Sequence, residues 1–319
     1  MPGQSRSWSQ AGARSSAGAP TGTLAVRIIP CPLCGAGDHT PICSKTRGGV
    51  VYGSVRCAAC GFHFVNPQPD PAELAAVYDA GYSDGHAQIW HGLEDDLNRA
   101  VIRRLHRHGI ASVVDLGAGQ GRFVSMALDA GLRASGVEAS PQNCRAAVER
   151  YGVALRQQGV EAFLHDCREP LEGVTMLNVL EHLPDPVGVL QAVGRMLTER
   201  GLLVVVVPDV SFTLALGRVR RALGFRDVYM LDSSRYTQQG FDPPVHLSSF
   251  DAAHLRRALQ LSGLRELALD QAPVIRSRDP VLQAAKRGIR AMGEALRVLT
   301  LGRVMFGYSL LAVARRASF

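Results

Sequence analysis

The stretch DLGAGQGRF, residues 115–123, sets Asp115 two residues before the first of three alternating glycines, Gly117, Gly119 and Gly121. A glycine-rich turn after an apolar run lets the backbone come close to a ligand. The spacing is neither the G-x-G-x-x-G of a dinucleotide loop nor the G-K-S/T ending of a triphosphate loop. A carboxylate at this point is a poor neighbour for pyrophosphate and suits a ligand positively charged at that end. Glu138 follows 21 residues after Gly117, at the end of the next predicted strand, where an acid can pair with ribose hydroxyls. A second constellation lies upstream. CPLCG (31–35) and CAACG (57–61) are matching C-x-x-C-G turns, with 22 residues between Cys34 and Cys57. Each turn points two thiolates at one position, and Cys31, Cys34, Cys57 and Cys60 together make a closed tetrahedral set of the structural zinc kind. Paired redox or merely buried thiols are the alternative. Cys43, Cys144 and Cys167 have no partner spacing.

These groups need elements to carry them, and the chain supplies alternating strands and helices. ASVVDLG reads as a buried strand and RFVSMALDAG as a helix ending at Gly131. ASGVEAS is a second strand, after which Ser140 as N-cap and Pro141 at the first position start the helix PQNCRAAVERYG. VALRQ and GVTMLNV are the third and fourth strands. The helix PVGVLQAVGRMLTERG and the strand LLVVVVP follow, then a helix over HLSSFDAAHLRRALQLSG and the strands LRELALD and YSLLAVARR. This rhythm predicts an α/β, doubly wound parallel sheet, which binds ligands outside the carboxyl ends of its strands where the strand order reverses. Upstream, GVVYGSVRC alternates as a ribbon strand, and NPQPDP marks a linker into a helix starting near Pro71. HGLEDDLNRAVIRRLHRHG reads as an amphipathic helix. The expected domains are a disordered tail over 1–28, a ribbon over 29–70 and an α/β domain over 71–319. Insertions at about 211–245 and 271–307 would cover a substrate.

With 319 residues, 46% of them hydrophobic, the chain can bury a sizeable core. Its net charge of +7 is carried by arginine, Lys45 and Lys286 being the only lysines. The longest apolar run, GLLVVVVP, is too short to span a membrane. The first residues lack a compact apolar segment with a cleavage site, which points to the cytoplasm, where disulfides are uncommon. LQAAKRGIRAMGEALRVLTLGRVMFG has helical spacing and a single acid, Glu294. It suits an anionic membrane surface or a phosphorylated acceptor, or else is an ordinary packed helix.

A ribose belongs to NAD and to S-adenosylmethionine alike, but the glycine spacing and Asp115 favour the sulfonium ligand. TMLNVLEHLPDP (175–186), together with VVDLGAGQGRF, resembles the class I S-adenosylmethionine-dependent methyltransferases. CPLCG…VRCAACGFHFVNPQPDPAELAAVYDAGY and HLSSFDAAHLRRALQLSGL resemble the subgroup of these enzymes with an N-terminal zinc ribbon, over roughly residues 30–270. The resemblance implies a Rossmann-like seven-stranded sheet whose last strand, 308–315, is inserted antiparallel. It implies that Asp115 receives the cofactor's amino group and that Gly117, Gly119 and Gly121 admit its methionyl and ribose parts. Glu138 would take both ribose hydroxyls, and Val160 would lie by the adenine. Asn178 would face the methyl-bearing sulfur, and Tyr82 would lie over the pocket or simply pack the linker. Gly159 and Glu172-Gly173 depart from the family's usual residues, which leaves the adenine side the least defined.

Methyl transfer is an in-line displacement in which the protein chiefly aligns donor and acceptor. A hydroxyl or acidic carbon also needs a base, and histidine suits neutral pH. His182, after Glu181, and His246, in PPVHLSSF, compete for that role or merely shape the pocket. Glu181 with His182 could instead hold a divalent metal, as in some quinone O-methyltransferases, which carry an acid where this chain has Asn178. A small-molecule acceptor, such as a sugar, glycan precursor or secondary metabolite, leads the readings. An RNA acceptor is disfavoured because the ribbon lacks clustered Lys/Arg with aromatics, and no base-flipping motif follows strand 4. A zinc scaffold that has lost its cofactor is opposed by the intact Asp115, glycine loop and Glu138.

Overall fold

The computed structural model describes residues 26–47, 50–70, 73–74, 93–224, 243–274, 276, 279–300 and 305–317. The tail expected over 1–28 falls outside them except for its last three residues, as do Tyr82, most of the linker helix near Pro71 and the middle of the first insertion.

The N-terminal part is built from strands β1 (Val26–Arg27), β2 (His39–Arg47), β3 (Val50–Cys57), β4 (His63–Val65) and β5 (Gln68–Pro69). The α/β part follows with α1 (Asp95–Arg107), β6 (Ser112–Leu116), α2 (Arg122–Asp129), β7 (Arg133–Glu138), α3 (Pro141–Tyr151), β8 (Arg156–Gln157), α4 (Val160–Asp166) and β9 (Leu171–Leu177). A 3₁₀ turn (Leu180–His182) leads to α5 (Pro186–Met196), β10 (Leu197–Pro208) and α6 (Val210–Ala222). The chain ends with β11 (Ser248–Ser249), α7 (Ala252–Leu261), β12 (Leu264–Gln271), α8 (Pro280–Leu299) and β13 (Ser309–Arg316).

Seven strands form one sheet in the order β12-β13-β10-β9-β6-β7-β8. Its strands are parallel except β13, which runs antiparallel to both neighbours, as the family resemblance implies. The order reverses between β6 and β9, so the loops after β6, β7 and β9 converge on one edge. The run LLVVVV is buried on both faces because helices cover both sides. Leu203, Val205 and Val207 of β10 pack with α5 and α7, while Leu202, Val204 and Val206 pack with α1 and Phe123 of α2. Helix starts follow the sequence signals. Ser140 accepts from Asn143 N at 3.3 Å, Asp185 from Gly188 N at 2.8 Å and Asp251 from His254 N at 2.8 Å.

Two boundaries differ from the sequence reading. The helix expected to run to Gly201 stops at Met196, because Leu197 already pairs with Leu171 of β9 across an irregularity before Leu202. HLSSF is not the start of a helix but strand β11, and the helix begins only after Asp251. Ser248 and Ser249 pair antiparallel with Phe64 and His63, so this piece of the α/β part completes the sheet β11-β4-β3-β2. Phe250 packs on Phe62 with ring centroids 5.2 Å apart, and His254 Nε2 contacts the Cys60 carbonyl at 3.0 Å. These contacts explain why a cysteine ribbon and an HLSSF segment belong in one chain: each covers the other's edge and apolar face.

Candidate active site

Asp115 is the last residue but one of β6 and almost wholly buried, and the Thr175 hydroxyl on the neighbouring β9 donates to its Oδ1 at 2.6 Å. Burial pushes its carboxyl up to about 7; Thr175 pulls it down, and Glu94 and Glu138 push it further up. Glu94, just before α1, is likewise raised to about 7 by burial and then by Asp95. Glu138 is raised by burial against the amides that hold it: its Oε2 accepts from Gly119 N and its Oε1 from Ser140 N, both at 2.8 Å. Neither Asp115 nor Glu138 has an ion-pair partner among the described residues.

Gly117, Gly119 and Gly121 all have positive φ, of 74°, 53° and 76°. Their surroundings separate two uses. A Cβ on Gly117 would come within 2.6 Å of Val179, and one on Gly121 within 3.0 Å of Ala147, so those two allow close packing. At Gly119 a Cβ would meet nothing within 4 Å, which marks the open side of the loop. Arg122 forks onto both oxygens of Asp95, at 2.9 and 2.6 Å, and ties the helix after the loop to α1. Gly117→Ala should therefore destabilise the fold by about 1–3 kcal/mol through crowding and left-handed strain, visible as a lowered midpoint in thermal unfolding.

On the other side of the reversal, Asn178 is the one non-glycine residue with positive φ among the described residues, at 56°, and its buried Oδ1 accepts no hydrogen bond. Val160 opens α4 with its side chain in the main core. The 3₁₀ turn then presents Glu181 and His182. Both oxygens of Glu181 are buried and accept no hydrogen bond, and burial raises this carboxyl to about 8. His182 Nδ1 lies 3.0 Å from the Val245 carbonyl, and its ring meets that of His246 edge-to-face with centroids 4.9 Å apart. The two histidines read as competitors in the sequence are thus neighbours. Thr175, Glu94 and the Val245 carbonyl had no sequence signal: each acts only by lying across a strand or loop from a distant partner.

The four cysteines form a second compact cluster. Cys31 and Cys60 Sγ are 3.7 Å apart and Cys34 and Cys57 Sγ 3.6 Å apart. A tetrahedral zinc with Zn–S bonds near 2.3 Å has edges of about 3.8 Å, so the set fits that ion. Gly35 and Gly61 turn left-handed after each knuckle, at φ 76° and 80°, as the C-x-x-C-G pattern requires.

A seven-stranded sheet with one antiparallel insertion, and an acid–glycine loop at its point of reversal, defines the Rossmann-like class of S-adenosylmethionine-dependent methyltransferases. A family described as "methyltransferase domain" matches residues 88–269, and the chain belongs to that family. Among solved structures, magnesium protoporphyrin IX methyltransferase from Synechocystis PCC 6803 is 13% identical, covering 76% of this chain and 100% of its own, with a TM-score of 0.49. The 1,6-didemethyltoxoflavin-N1-methyltransferase of Burkholderia thailandensis is 17% identical, covering 86% and 99%, with a TM-score of 0.49. No curated protein matches the chain.

Proposed function

We propose that this methyltransferase moves the methyl group of S-adenosylmethionine to a small-molecule acceptor: a sugar, a glycan precursor or a secondary metabolite. The observation that carries the reading is the group of three acids around a glycine loop open at Gly119, in which Glu94 and Glu138 add to the burial that raises Asp115. Such a site favours a cationic amino acid joined to a ribose. In this assignment Asp115 takes the amino group, and the three glycines admit the methionyl and ribose parts. Glu138 takes the ribose hydroxyls, Val160 flanks the adenine and Asn178 faces the sulfur. Tyr82, which lies outside the described residues, is assigned to cofactor binding on the resemblance alone. His182 and His246 serve the acceptor, whose proton a neutral imidazole can take.

Arg276, Arg287 and Arg290 line a pocket with Asp96 between α8 and the start of α1. Asp96 occupies Arg276 at 2.8 and 2.9 Å, while the helix arginines favour an acceptor bearing phosphate. No helix among the described residues is long and apolar enough to cross a membrane. We assign the protein to the cytoplasm, with zinc held by the four cysteines, and its basic α8 can touch an anionic membrane surface.

Calorimetric titration with S-adenosylhomocysteine, against NADH as control, tests the cofactor; nucleotide sugars open the acceptor screen. Absence of S-adenosylhomocysteine binding would overturn the reading. The affinity should also depend on pH. A cationic ligand binds the ionised form of Asp115, which is present above about 7. Affinity should therefore fall by up to tenfold per unit as pH drops below that value and level off above it. Titrations at pH 6, 7 and 8 check this, and Asp115→Asn should flatten the profile. His246→Ala should lower kcat about 10²-fold with little change in cofactor affinity, read in single-turnover assays.

A further inference from the structure

Two helices at the carboxyl edge of the sheet carry apolar side chains into solvent. β10 ends at Pro208 opposite Ser309, and β12 ends at Gln271 opposite Leu310, so the start of α6 and the ends of β12 and β13 lie side by side at that edge. α8 is seated there at Gly293. A Cβ at this position would run into the Phe306 carbonyl and the Gln271 side chain, whose Nε2 donates to that carbonyl at 2.8 Å. The side of α8 turned away from this contact is apolar. Val281, Ala285, Gly288, Met292, Ala295 and Leu299 recur at intervals of four and three residues, which places them along one side of the helix. All six are exposed, Val281 to 77% and Leu299 to 79%. α6 ends in the same manner. Its Val219 and the following Leu223 are 56% and 70% exposed, beside the exposed Arg218 and Arg221.

Apolar faces turned to water in this way mark an interaction surface, and the charge beside them selects the partner. The one acid of α8, Glu294, is taken by Arg297 at 3.0 and 2.6 Å. Arg287 and Arg290 are exposed, form no ion pair among the described residues and line one pocket with Arg276. An apolar stripe bordered by guanidiniums suits the boundary between acyl chains and anionic headgroups. A second copy of the chain would set the same cations against one another, and like charge opposes that pairing. We propose that α6 and α8 together form a docking surface for an anionic phospholipid bilayer. The exposed valine, methionine and leucine side chains enter the acyl boundary, and Arg287 and Arg290 take lipid phosphates. Docking turns the sheet edge that carries the cofactor loop towards the bilayer. It does so whatever acceptor the enzyme methylates.

Cosedimentation of the full-length protein with vesicles tests the surface. Vesicles of equal parts phosphatidylglycerol and phosphatidylcholine should be bound at least about tenfold more tightly than phosphatidylcholine alone, and the difference should shrink as salt is raised. Val281→Glu combined with Leu299→Glu should weaken binding to the mixed vesicles at least about tenfold, and so should Val219→Glu combined with Leu223→Glu. All four positions are exposed, so an unchanged thermal midpoint is expected and reports that the variants are folded. Equal binding of both vesicle types by the wild type, or undiminished binding by either double variant, would overturn the proposal. A dimer in sedimentation equilibrium that Val281→Glu with Leu299→Glu dissolves would give the stripe to a second copy and overturn it likewise. Vesicle binding is read without cofactor, so its failure is distinct from a failure to bind S-adenosylhomocysteine, which bears on the methyl-transfer reading alone.

Discussion

Asp115→Ala should abolish useful cofactor binding, with the Kd for S-adenosylhomocysteine rising roughly 10- to 100-fold at pH 8. The estimate follows from one charge-assisted hydrogen bond of about 1.5–3 kcal/mol lost inside a buried site. The same substitution should leave the free protein no less stable at that pH. The carboxyl of Asp115 is held up at about 7, above the ordinary 3.8, so the folded state binds a proton that the unfolded state releases. Stability from this group is present below the ordinary value and is lost as pH rises through about 7. At pH 8 the ionised, buried Asp115 is therefore a burden that a cationic ligand relieves. Asp115→Asn keeps the bond from Thr175 and removes the charge, so it should raise the thermal midpoint while binding is lost. A calorimetric titration paired with a melting curve reads both signs. Retained affinity in Asp115→Asn would transfer the amino-group role to Glu94 or Glu138.

Cys57→Ser should produce the complementary pattern, a large loss of turnover with the cofactor loop spared. Cys57 is fully buried in the core that the ribbon shares with α7 and β10. Losing one of four thiolates removes the ion that the cluster fits, and structural zinc sites contribute folding energy directly. The consequence travels along β11. Val65 N donates to the Leu247 carbonyl at 2.8 Å, and Ser248 and Ser249 pair with Phe64 and His63. Leu247 follows His246, and Val245, whose carbonyl orients His182, precedes it. A loosened ribbon therefore misplaces both histidines, and a misplacement of about 1 Å at a reacting centre can cost about 10²-fold in rate. Asp115 and Glu138 lie on strands that make no pairing with the ribbon, and Gly119 lies in the loop after β6, so S-adenosylhomocysteine affinity should change by less than the rate does. Zinc content, binding calorimetry and single-turnover rates on one preparation separate these effects. An unchanged rate in protein shown to be metal-free would remove the ribbon from the catalytic machinery.

The parts of this protein that could be read from its residues are those whose physics is local. A C-x-x-C-G turn needs only its own five residues to aim two thiolates, and its glycine declares the left-handed turn that Gly35 and Gly61 adopt. Asp115 and the glycine loop are legible for the same reason, as are Ser140 and Asp185, which cap helices three residues away. The sheet was legible because short apolar runs alternate with helical segments, and each run or helical period shows within a single segment. Distant pairing had no such signature. HLSSF carries enough periodicity to pass for a helix start, and only the open edge of β4, some 185 residues earlier, makes it a strand. His182 and His246 looked like rivals because sequence separates them by 64 positions, whereas the β11 pairing brings their rings to 4.9 Å. Thr175 under Asp115 and the enclosed Glu181 belong to the same category. Local geometry determined which groups this chain owns; long-range strand pairing and burial, which no short window of residues encodes, decided which of them meet.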